Sequence, residues 1–195
     1  VAGLFIQGKI YFKQGNYKKA LETYIAALKI QEKTGDKQGI AASYNNIGSA
    51  YEKQAAYDTV GKSFNGVNPV ERDGLLNMAL KNYFYALKIQ QETGDKQGIA
   101  ISYINIANVY TGKLKYVEAM AWFQKGLQFA KKIGTKQLLT EVYQALAEVS
   151  EKTSDYHHAY KYHQLYSQFK DSVFNEENSK QIVELQTKYE TEKKD

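Results

Sequence analysis

The sequence predicts an all-α protein, an α-solenoid of four antiparallel helix hairpins followed by a C-terminal helix, and three observations carry that prediction. The block ALKIQEKTGDKQGIAASYNNI at Ala27 to Ile47 returns almost unaltered as ALKIQQETGDKQGIAISYINI at Ala86 to Ile106, the mark of a duplicated structural unit. A Gly-or-Ala landmark recurs at Gly8, Gly48, Ala107 and Ala147, 40 residues apart once an insertion of 19 residues is set aside. Within a unit, apolar residues recur at three-and-four spacing, as at Ala20, Leu21, Tyr24, Ala27 and Leu28, which places them on one stripe of a helix.

Two helices make one repeat. The pattern predicts helices over about residues 2–13, 17–33, 37–54, 69–92, 96–112, 116–132, 136–152 and 156–174, with a ninth beyond. Thr34-Gly35-Asp36 separates consecutive repeats: Gly35 suits the left-handed end of one helix, and Asp36 offers an acceptor to the exposed N–H groups opening the next. Gly94-Asp95 repeats the device and Gly134-Thr135 varies it. Inside a repeat the short turns Gln14-Gly15-Asn16 and Thr153-Ser154-Asp155 fold first helix onto second. The repeats then occupy about 1–35, 36–94, 95–134 and 135–170 of a domain spanning 1–170, and 171–195 forms a connector helix. The insertion, 58–76, falls between the two helices of the second repeat. Its Asn68-Pro69-Val70-Glu71 reads as a helix start, with Asn as cap and Pro in the first turn, so the fourth helix should extend backwards. Gly61 to Val67 should form a loop carrying Phe64, either a functional loop or a tolerated bulge.

Composition narrows the function. With 195 residues, 43% hydrophobic, and a single proline, the chain is long and apolar enough to fold around a continuous core. There is no run of 18 apolar residues and no leader-like start, and the last residues stop inside a helical pattern. The chain is therefore expected to be a piece of a longer protein. The absence of cysteine removes disulfides, thiolate metal sites and Cys nucleophiles, and leaves the compartment open. Formal charge is +5, but Arg72 is the only arginine among 26 basic residues, and lysines alternate with Asp and Glu along the chain. Base-edge readout and bidentate phosphate capture favour clustered Arg, so this is a solvated face rather than a nucleic-acid footprint. His157, His158 and His163 stand at helical offsets that do not share a face, and no Cys joins them, which argues against a metal site. The 17 tyrosines fall mostly at repeat positions and suit core and groove lining. No Gly-rich phosphate loop, nucleophile elbow or paired-carboxylate constellation occurs, and no catalytic residue, cofactor or metal is expected.

The spacing resembles the tetratricopeptide repeat. Its pattern of a large residue, an aliphatic-Gly pair and an aromatic, then Ala three residues before an aromatic on the second helix, is met by Leu4, Gly8, Tyr11, Ala20 and Tyr24. It is met again by Tyr44, Ile47, Gly48, Tyr51, Ala79 and Tyr83, and by Tyr103, Ile106, Ala107, Tyr110, Ala119 and Phe123. The fourth unit keeps Tyr143, Leu146, Ala147 and Ala159 but has Ser150 and His163 at the aromatic positions, as suits a degenerate terminal repeat with a partly wet outer face. The small residues sit where helices cross closely and a larger side chain would hold them apart. The usual Pro after the second helix is missing, which marks the 40-residue variant.

The resemblance implies a right-handed superhelix whose first helices line a concave groove holding a protein or peptide segment. The residues expected to face that groove are Lys9, Lys13, Asn45, Asn46, Ser49, Lys53, Asn105, Asn108, Thr111 and Gln144, with Glu148 and Glu151 beside the last. Asn46 and Asn105 match a position by which peptide-binding members grip a ligand's main chain; an amide side chain supplies both donor and acceptor, so it pairs with any peptide bond. The alternative is that these asparagines are merely polar and wet. A carboxylate clamp for acidic C-termini is rejected, because Phe5, Ile101 and Asn105 stand where it needs basic residues and Lys9 where it needs Asn.

The tail from Lys170 to Asp195 is a charged helix with a sparse stripe at Val173, Ile182, Leu185 and Tyr189, marginal alone and expected to dock or pair. It resembles the connector that follows the repeats in bacterial membrane-bound sensor histidine kinases, and similar regions precede helix-turn-helix regulators. The resemblance implies the sensor region of a two-component receptor, with an extracytoplasmic location favoured over a cytoplasmic one and membrane attachment only through a downstream segment. The competing expectation is a structural scaffold in which the C-terminal helix forms a homodimer.

Overall fold

The computed structural model describes residues 1–60 and 69–192. These form eight helices and, among the described residues, no strand: α1 (Ala2–Lys13), α2 (Tyr17–Thr34), α3 (Lys37–Val60), α4 (Pro69–Thr93), α5 (Lys96–Gly112), α6 (Tyr116–Ile133), α7 (Lys136–Lys152) and α8 (Tyr156–Glu192). The expected hairpins are present. The described chain divides into two compact units, Val1–Phe129 and Ala130–Asp195.

Two expectations are corrected. The tail is not a separate ninth helix: α8 runs unbroken for 37 residues, since no Gly or Pro interrupts Lys170 to Glu192. The third helix does not stop near residue 54 but continues to Val60, through Ala55, which is buried in the core around Tyr83 and Ile106. The fourth helix begins at Pro69 as the sequence predicts. Gly61 to Val67, with Phe64, and the Asn68 cap lie outside the described residues.

Helix ends follow the local chemistry. Gly35 and Gly94 close α2 and α4 with φ of 68° and 70°, a conformation that costs glycine little. Asp36 Oδ1 and Asp95 Oδ1 accept from the N–H groups of Gly39 and Gly98, each at 2.9 Å, while Thr135 in the same place makes no side-chain cap. The α5–α6 turn is made with Leu114 at φ 59° and the α7–α8 turn with Ser154 at φ 60°, where the first hairpin uses Gly15.

In the first unit two core clusters repeat. Tyr24 and Leu28 of α2 pack with Ile47 and Ala50 of α3, and Tyr83 and Leu87 of α4 pack with Ile106 and Val109 of α5. Hairpins one and two are thus each covered by the first helix of the next. Gly8 and Gly48 allow the closest approach within a hairpin: a Cβ on Gly48 would lie 2.7 Å from the Tyr83 ring, and one on Gly8 would collide with Tyr24. The helical part of the insertion is anchored. Arg72 Nη2 donates to the Gly112 carbonyl at 2.5 Å, satisfying an orphan group at the negative end of α5. Lys113 pairs with Asp73 and donates to Asn77, and the pairing holds the Asp73 carboxyl below its usual range.

In the second unit, Leu139, Val142, Leu146 and Val149 of α7 are buried. Tyr143 stacks on Tyr162 and Phe169 of α8, and Lys136 pairs with Glu176 and donates to Ser172. Ser150 stands where an aromatic stands in earlier repeats; its hydroxyl is buried with no hydrogen-bond partner among the described residues.

Candidate functional site

The asparagine pair comes first. Asn46 and Asn105 occupy the same register on α3 and α5, both half-buried, and neither makes a side-chain hydrogen bond among the described residues. Each amide is therefore uncommitted, with donor and acceptor open to a ligand. Of the other predicted groove residues, Lys9, Lys13 and Lys53 are exposed, and Asn45, Ser49, Asn108 and Thr111 are half-buried. Thr111 returns its hydroxyl to the Ala107 carbonyl at 3.1 Å. Asn45 is turned to the neighbouring hairpin, its amide oxygen 3.2 Å from Ser102 Oγ. Gln144 is exposed and donates to Glu148 at 3.2 Å; it belongs to the second unit, the other nine to the first.

Sequence reasoning missed a buried polar seat between hairpins. Gln31 and Ser43 are at most 2% exposed, and Ser43 Oγ donates to Gln31 Oε1 at 2.5 Å. Gln90 and Ser102 repeat the bond at 2.7 Å. Gly39 and Gly98 leave room for it, because a Cβ on Gly98 would lie 2.7 Å from Gln90 Nε2 and crowd Asp95 as well. The signal was available: all four residue types lie inside the duplicated block. At the corresponding places after the third hairpin stand Ala130, Thr135, Leu138 and Val142, so the Gln–Ser pair gives way to Ala and Val while Gly and Asp change with it to Leu and Thr.

A buried phenol–carboxylate pair in the first unit is also structural. Tyr83 OH donates to Glu52 Oε2 at 2.8 Å. Burial, then the Glu52 charge, push this phenol well above its ordinary value. The histidines do not converge on one point. His158 Nδ1 lies 2.8 Å from Asp155 Oδ2, His157 packs edge-on against His158, and His163 packs against Tyr166. Among the described residues no group of three or more His, Asp or Glu is placed to hold a metal. No helix there is long and apolar enough to cross a membrane.

Residues 4–59 match the tetratricopeptide repeat family. No curated protein matches the chain. Among solved structures it is similar to BtubC from P. vanneervenii, with a TM-score of 0.70 and 17% identity over 87% of this chain and 63% of that one. It is also similar to a signal transduction ATPase with numerous domains that carries a tetratricopeptide repeat sensor, from Pyrococcus horikoshii. There the TM-score is 0.62 at 19% identity, over 90% of this chain and 24% of that one. The apo form of RapI gives 0.53 at 17% identity, over 88% and 68% of the two chains. The chain thus spans less than two thirds of the length of the first two. At these identities the likeness is one of fold.

Proposed function

Because the chain carries tetratricopeptide repeats, which are protein-interaction modules, we propose that it is the non-catalytic sensor or interaction region of a bacterial signal-transduction protein. A peptide or protein segment lies along the first helices, held by the main chain through Asn46 and Asn105. Binding changes how successive hairpins pack, since each touches only its neighbours, and α8 carries the change to an output module. The observation that supports this reading is the pair of uncommitted, half-buried amides in matching register. The unbroken run of α8 from the last hairpin into the charged tail supports the transmission step. A two-component sensor histidine kinase is the parent favoured, on the resemblance of the tail to its connector, with an extracytoplasmic location and membrane attachment only downstream. A helix-turn-helix regulator is the alternative parent.

The test is a pull-down of ligands by the full chain, followed by titration against Asn46→Ala and Asn105→Ala. Weakened binding in both variants supports the reading; unaltered affinity removes the asparagines from it. A second reading, a scaffold that dimerises through a parallel coiled coil of the tail, is favoured by the apolar spacing of Ile182, Leu185 and Tyr189 in the sequence. Solution mass with and without residues 171–195 decides it: a monomer in both forms counts against the coiled coil.

A further inference from the structure

In the first unit, hairpins one and two each have a face that receives a helix. On hairpin two that face is built from Ala41, Ala42 and Asn45 of α3 and Gln90 of α4, and the opening residues Gly98 and Ile101 of α5 meet it there. The two first helices run parallel, since Ser102 early in α5 donates to Asn45 early in α3 while Ala55 and Val109, toward their far ends, share a cluster. The register carries this face to hairpin four, where the same positions are Thr140, Glu141, Gln144 and Lys170. These residues line an open cleft of about 390 Å³ between α7 and α8, together with Val173 and Phe174.

That cleft does not stand alone. It shares Gln144 with a second cleft of about 460 Å³ nearer the α7–α8 turn, and Gln137 with a third of about 750 Å³ along the distal part of α8. Together they make one groove along the hairpin, wholly inside the second unit. His163 and Tyr166 line it at positions held in hairpin two by Tyr83 and Ala86, both at most 1% exposed there. Phe174 is 62% exposed. The chain presents here a seat for a helix, with the side chains that would meet one left in water.

Charge selects the occupant. At the turn end the groove is lined by Glu148 and Glu151 together with Tyr156, Tyr160 and Tyr166, beside the C-terminal, negative end of α7. Carboxylates framed by aromatic rings suit a cation, and Lys170 already lies over the Tyr166 ring, 5.4 Å from its centroid. We propose that the α7–α8 groove is the docking site for an amphipathic helix of a partner protein, lying parallel to α7 and ending in lysine or arginine residues against Glu148 and Glu151. Parallel seating brings the partner's last turn to that end, where cationic residues also suit the partner's own dipole. A second copy's tail is disfavoured, because residues 176–195 carry more acidic than basic residues. Neither Asn46 nor Asn105 lines this groove, so variants at those two positions distinguish it from the reading proposed above.

The experiment uses the full chain and three labelled helical peptides of about 20 residues, long enough to hold a helix. All share one leucine stripe; they carry three lysines in the last turn, three lysines in the first turn, or three glutamates in the last turn. The expected result by fluorescence anisotropy is that the first binds about tenfold more tightly than either other peptide. Reversing the charges with Glu148→Lys and Glu151→Lys, both at exposed positions, reverses the preference toward the glutamate peptide. Tyr160→Ala, with fold checked by circular dichroism, weakens the first peptide, and Asn46→Ala with Asn105→Ala does not. Equal binding of all three, no binding, indifference to charge reversal, or displacement of the peptide by self-association of the chain would each overturn the proposal. Loss of peptide binding in the asparagine variants alone would place the peptide elsewhere and overturn it too.

Discussion

The Ser43 hydroxyl donates to the Gln31 side-chain carbonyl at 2.5 Å inside the seam between α2 and α3, and both residues are closed to solvent. Gln90 and Ser102 copy the bond one repeat later. A buried polar group stripped of its partner bears its full desolvation cost, whereas removing both partners and refilling the space is far milder. Ser43→Ala or Gln31→Ala alone is therefore expected to cost about 1–3 kcal/mol. Replacing the whole set with its counterpart, Gln31→Ala, Asp36→Thr, Gly39→Leu and Ser43→Val, should cost less than the sum of the single changes. Urea denaturation of the singles and the quadruple variant measures this. Additive losses would show that the four positions are not one device.

The closest approach within hairpin two is a glycine against an aromatic ring. Gly48→Ala puts a methyl group 2.7 Å from the Tyr83 ring, and that ring is 1% exposed. Overpacking of this kind is expected to lower stability by about 1–3 kcal/mol. Gly48→Ala combined with Tyr83→Leu should recover part of the loss. A thermal melt of the three proteins checks the pair.

Alkaline pH should act through Tyr83. Its folded-state pKa is raised above the ordinary value of 10.0, first by burial and then by Glu52, so the unfolded chain gives up this proton before the folded one does. The contribution is fully present below the unfolded value and is lost as pH rises above it. Stability should therefore fall beyond about pH 10. In Tyr83→Phe that fall should be shallower, and the neutral-pH stability lower by about 1 kcal/mol for the lost hydrogen bond to Glu52. Denaturation midpoints followed from neutral to alkaline pH test both statements.

Leu114 holds φ at 59° while its side chain is 68% exposed, so it makes little packing in return for an unfavourable backbone. Leu114→Gly is expected to raise stability by about 1 kcal/mol. The first hairpin already uses Gly15 at this turn position. A lower melting temperature in the variant would mean that Leu114 packs more in solution than its exposure implies.

The repeat unit was legible in the residues because its causes are local. Three-and-four apolar spacing, the Gly35 and Gly94 stops and the Asp36 and Asp95 caps each act within a few residues of chain, and the duplicated block exposed the period. For the same reason Pro69 marked the start of α4 correctly. The length of α3 and α8 was less legible: no breaker residue marks an end there, and Ala55 is held in α3 by burial against another helix.

What the sequence by itself determined, then, is the all-α hairpin and its number of copies, together with the lack of any motif for chemistry. Only the tertiary structure decided which side chains meet across hairpins. Gln31 and Ser43 look like two more surface polar residues until α3 lies on α2. Asn45 and Asn46 are neighbours in the chain, yet one is turned to Ser102 and the other is left uncommitted. Helical periodicity assigns a residue to a face, but the partner of that face is fixed by how helices distant in sequence come together.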